Sequence, residues 1–127
     1  LYNAKLLSQG AQIFSMTSAG GRKQWMSYGA VSMAKAALES ASRQLAIEFA
    51  HDGIAVNAIQ AGVTDTPALH KIPGNEKMIE YAMSNNPSGR LTTPDDIANY
   101  VTLLSHSTSS WMTGNIIRVD GGEDIIG

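Results

Sequence analysis

The sequence contains no cysteine, which removes disulfide staples, thiolate zinc sites and a thiol nucleophile from consideration. It has no apolar run approaching the roughly 20 residues that a membrane-spanning helix needs. Its first residues lack the basic-then-apolar pattern of a secretory leader. A soluble, cytoplasmic domain is therefore expected. Basic clusters are missing too. Arg22-Lys23 is only a pair and the formal net charge is −2, so no nucleic-acid surface is expected. His51, His70 and His106 are scattered without metal-ligand spacing, which predicts surface or helix-end positions and no metal site. Charged residues make up 16% of the chain, too few for a disordered tail, while 43% hydrophobic residues can build a core.

What is present reads as short strands alternating with longer helices. Leu1-Tyr2-Asn3-Ala4-Lys5-Leu6-Leu7 looks like the last turns of a helix, stopped by Ser8-Gln9-Gly10, so the chain reads as entered in the middle. Residues 11–17 are a β-branched and aromatic run that leaves through Ser18 into Ala19-Gly20-Gly21. From Ser27 to Ala50 the pattern is helical, with Val31, Ala34, Leu38, Ala41, Leu45 and Phe49 recurring at spacings of three and four. Ser27 is the expected N-cap and Gly53 the expected left-handed stop. Ile54-Ala55-Val56-Asn57-Ala58-Ile59 is short and mostly apolar, as a strand buried on both faces should be. Residues 63–74, with Pro67 and Pro73, predict a mobile loop with one helical turn, and residues 75–85 a helix. Thr93-Pro94-Asp95-Asp96 predicts a capped helix start running to about Ser105: a hydroxyl acceptor, a proline at the first position, then carboxylates against the positive helix end. Residues 115–119 form a last strand, closed by Asp120-Gly121-Gly122. This order implies right-handed crossovers and a parallel sheet. Three strands are few where a doubly wound sheet has about six. The expectation is an α/β chain that is one half of a Rossmann-type domain, with the preceding half outside it.

In open α/β sheets, ligands bind beyond the carboxyl ends of the strands. Thr17-Ser18-Ala19-Gly20-Gly21, the stretch from Gln60 to Thr66, and Asp120-Gly121-Gly122 all fall at that edge. Tyr28 and Lys35, seven positions apart, would share one helix face, about 10 Å apart along its axis. An isolated phenol titrates near pH 10. A neighbouring ammonium favours phenolate, and a phenol so placed can give a proton or hydrogen bond to a developing oxyanion. Ser18 can add a second donor. The same spacing also fits a surface tyrosine and a solvated lysine. Asp120 reads as a turn residue, and Asp65, between Thr64 and Thr66, as one that orders its loop. Trp25 and Met26 are expected either to line the site or to pack in the core. Trp111 and Met112 are expected near the C-terminus or at a subunit contact.

Several of these stretches together resemble the C-terminal half of a short-chain dehydrogenase/reductase. They are Ile13 to Gly21, Tyr28 with Lys35 in Ala34-Lys35-Ala36-Ala37-Leu38-Glu39, Ile54 to Thr66, Gly89-Arg90, Pro94-Asp95-Asp96-Ile97-Ala98, and Thr113 to Gly122. Most of that family places lysine four residues after tyrosine, where this chain has Ser32. The seven-residue spacing is similar to the enoyl-acyl-carrier-protein reductases. The segment from Thr66 to Arg90 most resembles their NADPH-using, Bacillus-type branch. Many enoyl reductases carry a second tyrosine ten residues before the first, where this chain has Ser18.

The resemblance implies a catalytic half that spans residues 1–127 and lacks the N-terminal nucleotide-binding half. It implies reduction of trans-2-enoyl thioesters of acyl-carrier protein or coenzyme A in fatty-acid synthesis, with NADPH or NADH as cofactor. Tyr28, Lys35 and Ser18 would be catalytic, Tyr28 holding the enolate oxygen. Lys35 would also bind the nicotinamide ribose, and Gly62, Thr64 and Thr66 the nicotinamide itself. Residues 67–86 would cover the substrate. The alanine-rich face of the helix over 27–50 would pair between subunits of a homo-oligomer, a tetramer. Two other readings stand beside it. One is a carbonyl or 3-oxoacyl reductase of the same family, against which Ser32 argues. The other is a non-catalytic fragment or interaction module, supported by the lack of a glycine-rich phosphate loop.

Overall fold

A computed structural model of the chain describes residues 6–126. The expected helix over residues 1–7 lies mostly outside that range, and Leu6 and Leu7 are not helical. Three strands, β1 (Gln12–Ser18), β2 (Ala55–Ala61) and β3 (Ile116–Val119), form one parallel sheet in the order β1-β2-β3. Helix α1 (Gly29–Phe49) connects β1 to β2, and α2 (Asn75–Asn85) and α3 (Pro94–Ser105) lie between β2 and β3. This is the α/β alternation that the sequence pattern predicts, with flanking helices on a parallel sheet.

β2 is the centre of the molecule. Ile54, Val56 and Ile59 are almost wholly buried, and so are Asn57 and Gln60. A strand paired on both sides and covered on both faces reads as a continuous buried run. Buried amides need partners. Asn57 Nδ2 donates to the Met112 carbonyl at 2.7 Å, and its Oδ1 accepts from the Asn115 backbone and side chain at 3.1 and 3.2 Å. The loop before β3 is thereby fastened to the middle of β2.

Two local expectations for α1 are corrected. Ser27 does not cap it. Ser27 sits at φ 65 and closes a turn in which the Tyr28 N–H donates to the Trp25 carbonyl at 3.1 Å. Tyr28 is the cap residue, and its carbonyl accepts the first helical bond, from Ser32, at 2.8 Å. The helix face against the sheet only partly matches the one that the apolar periodicity marks. The buried residues are Ser32, Glu39, Ser42 and Ala46; Leu38, Leu45 and Phe49 are half-buried, while Val31, Ala34 and Ala41 stay exposed. Small and polar residues face β1 because they bond to it: Ser15 and Ser42 hydroxyls lie 2.7 Å apart, and Thr17 Oγ1 donates to Glu39 Oε1 at 2.6 Å. The C-terminal end is as expected, a short 3-10 turn followed by Gly53 at φ 67. The single helical turn expected within residues 63–74 is a 3-10 turn at Leu69–Lys71.

Register aligns the carboxyl ends. Ser18 pairs with Ala61, and Ala61 with Val119. The last residues of all three strands therefore stand in one row, with neighbours about 4.8 Å apart. The loops that leave them emerge side by side.

Candidate active site

The row of strand ends brings together three of the residues singled out by sequence. Ser18 is the last residue of β1, and its hydroxyl lies 3.4 Å from the Tyr28 hydroxyl. Tyr28 is buried, and its ring lies against Gly20. A Cβ there would overlap Tyr28 Cε1 and come within 3.3 Å of Ser18 Oγ. Lys35, two turns into α1, donates from Nζ to the Met16 carbonyl at 2.8 Å. The phenol and the ammonium are thus both referenced to the last three residues of β1. Tyr28 is the cap residue of that helix.

Gly62, Thr64 and Thr66 occupy the neighbouring loop, after β2. Gly62 is tight for an internal reason: a Cβ would overlap Thr92 Oγ1 and lie 3.0 Å from Glu123 Oε2. Thr64 pairs with Thr92, and its hydroxyl donates to the Gly62 carbonyl at 2.9 Å. The Thr66 hydroxyl accepts from the Leu69 N–H at 3.2 Å, which starts the 3-10 turn. Asp65 orders the same loop by meeting His70 Nε2 at 2.6 Å. His106 is the C-cap residue of α3 and bonds to the Thr102 carbonyl at 2.7 Å, so both histidines serve local geometry.

Asp120 is a turn residue: its Oδ1 and Oδ2 accept from the Gly122 and Asp124 N–H groups at 3.0 and 3.2 Å. Met26 is 86% exposed and so is no core residue. Trp25 meets Tyr81 of α2 edge to face, with ring centres 6.0 Å apart. Trp111 is 94% exposed and packs on nothing within the described chain.

Sequence reasoning missed Glu39, a buried carboxylate beneath the Ser18 turn. Gly21 leaves room for it, since a Cβ there would overlap Glu39 Oε1. No local pattern marked it, because its burial rests on the bond from Thr17 of β1. A cavity of about 510 Å³ lies elsewhere, between Tyr100 and Leu103 of α3 and residues 118–122, and none of Ser18, Tyr28, Lys35, Thr64 or Thr66 lines it. Ser18, Tyr28 and Lys35 gather instead at the carboxyl end of β1.

Fold and site together define a Rossmann-type α/β protein with hydroxyl, phenol and ammonium groups at the carboxyl edge of a parallel sheet. The family model described as Enoyl-(Acyl carrier protein) reductase matches residues 2–123, and the chain belongs to that family. It is 36% identical over 122 residues to the enoyl-acyl-carrier-protein reductase (NADH) FabI of Synechocystis sp., covering 96% of this chain and 47% of that protein. It is 37% identical over 93 residues to galactitol 2-dehydrogenase of Rhizobium johnstonii, covering 73% of this chain and 36% of that protein. The crystal structure of the Bacillus cereus enoyl-acyl-carrier-protein reductase with NADP+ and indole naphthyridinone matches with a TM-score of 0.88 at 29% identity, over 97% of this chain and 48% of that one. The chain thus spans less than half the length of each of these relatives.

Proposed function

We propose that this chain is the C-terminal, proton-handling half of a reductase acting on trans-2-enoyl thioesters of acyl-carrier protein or coenzyme A. NADH or NADPH is the hydride source, and the working form is a cytoplasmic homo-tetramer. The observation that carries this reading is the Ser18–Tyr28 hydroxyl contact of 3.4 Å at the strand ends, in a chain of the enoyl reductase family. The proline-bearing segment from Thr66 to Arg90 favours the NADPH-using, Bacillus-type branch. The exposed alanine face of α1, with Ala30, Ala34, Ala37 and Ala41 at spacings of three and four, suits pairing with a second copy.

The residues present fit the nicotinamide end of a dinucleotide. Lys35 keeps two N–H groups after its bond to Met16, enough for ribose hydroxyls. Thr66 keeps its hydroxyl proton for a carboxamide oxygen, and Gly62 and Thr64 shape that loop. The sequence has no G-x-G-x-x-G run, so the pyrophosphate would rest on other residues. A bound reduced nicotinamide supplies hydride to the β-carbon of the enoyl group. Tyr28 then holds the enolate oxygen by its hydroxyl, Ser18 supports that hydroxyl, and the Lys35 charge favours the negative oxygen. Residues 67–86 exclude water as a cover.

The test joins this chain to the portion of the Synechocystis relative that it does not match. The hybrid should reduce crotonyl-coenzyme A. Tyr28→Phe should lower kcat by about 100-fold or more, and full activity in that variant overturns the assignment. The similarity to galactitol 2-dehydrogenase supports carbonyl chemistry as a second reading, which faster turnover of acetoacetyl-coenzyme A would favour.

A further inference from the structure

The turn after β3 carries two adjacent carboxylates whose partners lie on different loops. Glu123 accepts the Val63 N–H on both oxygens, at 3.3 and 3.1 Å. Val63 stands between Gly62 and Thr64. Asp124 reaches the other way. Among the described residues, its Oδ1 has one partner, the Lys23 ammonium at 2.8 Å. Its Oδ2 takes the Arg22 guanidinium, Arg118 Nε at 3.3 Å and Gln60 Nε2 at 3.1 Å. Arg22 and Lys23 begin the segment that leads from Gly21 to Tyr28.

The Asp124 side chain is 3% exposed, whereas those of Arg22 and Lys23 are 42% and 50% exposed. A carboxylate buried that far is costly without compensation. Here three cations and an amide compensate it. Burial pushes the Asp124 carboxyl up, but the bonds from Lys23 and Gln60 and the Arg22 and Lys23 charges outweigh it and hold it below its ordinary range. Glu123 has one backbone donor. Burial raises its carboxyl above the ordinary range, and the Asp120 and Asp124 charges add to that against the Val63 bond and Lys23.

We propose that Glu123 and Asp124 are positioning residues: one turn fastens the segment leading to Tyr28 and the loop of Gly62, Thr64 and Thr66, and so sets the gap between them. The proposal rests on reading those residues as one site. Its test uses no turnover, so its failure and the failure of the reductase reading are separate results.

Residue-resolved amide exchange on the 127-residue chain reads the fastening directly. The exposed cations are changed rather than Asp124, whose removal would strand three charges. Arg22→Gln with Lys23→Gln should speed exchange across residues 19–28 by about tenfold, with β2 amides unchanged. Arg22→Lys with Lys23→Arg should restore protection. In the unaltered chain the Val63 amide signal should titrate with a midpoint above the ordinary glutamate range. In Glu123→Gln that titration should vanish while the β2 amides keep their protection. Unchanged exchange at residues 19–28, an equal rise in β2, or a Val63 titration that survives Glu123→Gln overturns the proposal.

Discussion

A methyl group at Gly20 would overlap Tyr28 Cε1 and sit 3.0 Å from its Cδ1. Backbone freedom is not the issue there, because Gly20 is not among the residues at positive φ. The ring needs the space. Gly20→Ala should therefore destabilise the chain by about 1–3 kcal/mol through overpacking. It should also alter the near-UV circular dichroism of the tyrosines, and urea unfolding with that spectrum checks both. The structure fills the spaces at Gly20, Gly21 and Gly62 with this chain's own Tyr28, Glu39 and Thr92. The residue types at the site were legible, because Ser18, Tyr28 and Lys35 each carry a group that can move or hold a proton. Their partners were not, because a hydrogen bond from Lys35 to the Met16 carbonyl depends on how helix and strand dock.

At the scale of elements, α3 shows local sequence deciding local structure. Thr93 Oγ1 accepts from the Asp96 N–H at 3.2 Å, and Asp96 returns a bond from the Thr93 N–H at 2.8 Å, a reciprocal capping box with Pro94 at the first turn. Thr93→Ala should cost about 1 kcal/mol, read from the urea midpoint. Asp96 also receives both Arg90 guanidinium nitrogens, at 2.6 and 2.9 Å. The bond from Arg90, with those from Thr93, holds its carboxyl well below the usual carboxylate range. A carboxyl depressed on folding stabilises fully above its unfolded value, near pH 4, and that contribution fades as pH falls further. The stability gap between the unaltered chain and Asp96→Asn should therefore be constant around neutrality and shrink below about pH 4. A gap that stays level from pH 7 to pH 2.5 would count against the Arg90–Asp96 pairing. α1 is the opposite case. Its length and Gly53 stop were readable, but its sheet-facing side was not, because Ser32, Glu39 and Ser42 are buried by bonds that need β1 in place. Its cap is likewise set by the turn through Ser27, which no side-chain rule signals.

The whole molecule hangs on β2, where Asn57 ties the loop before β3 to the sheet centre through the Met112 carbonyl and Asn115. Asn57→Leu would remove the three bonds from the buried amide to the exposed residues Met112 and Asn115. A loss of about 2–4 kcal/mol is expected, each net hydrogen bond contributing about 0.5–1.5 kcal/mol. Denaturant unfolding measures it, and a neutral result would mean that water replaces the amide. The sequence by itself determined the α/β order and the parallel sheet. Apolar periodicity, turn residues and capping residues act over a few neighbouring positions, and right-handed crossover follows from chain chirality. Only the tertiary structure decided the register that levels Ser18, Ala61 and Val119. It alone seated Tyr28 against Gly20, and it alone joined Asp124 to Arg22 and Lys23 across a hundred residues of chain. Such contacts follow from burial and charge compensation between distant segments, which have no local signature until the sheet brings those segments together.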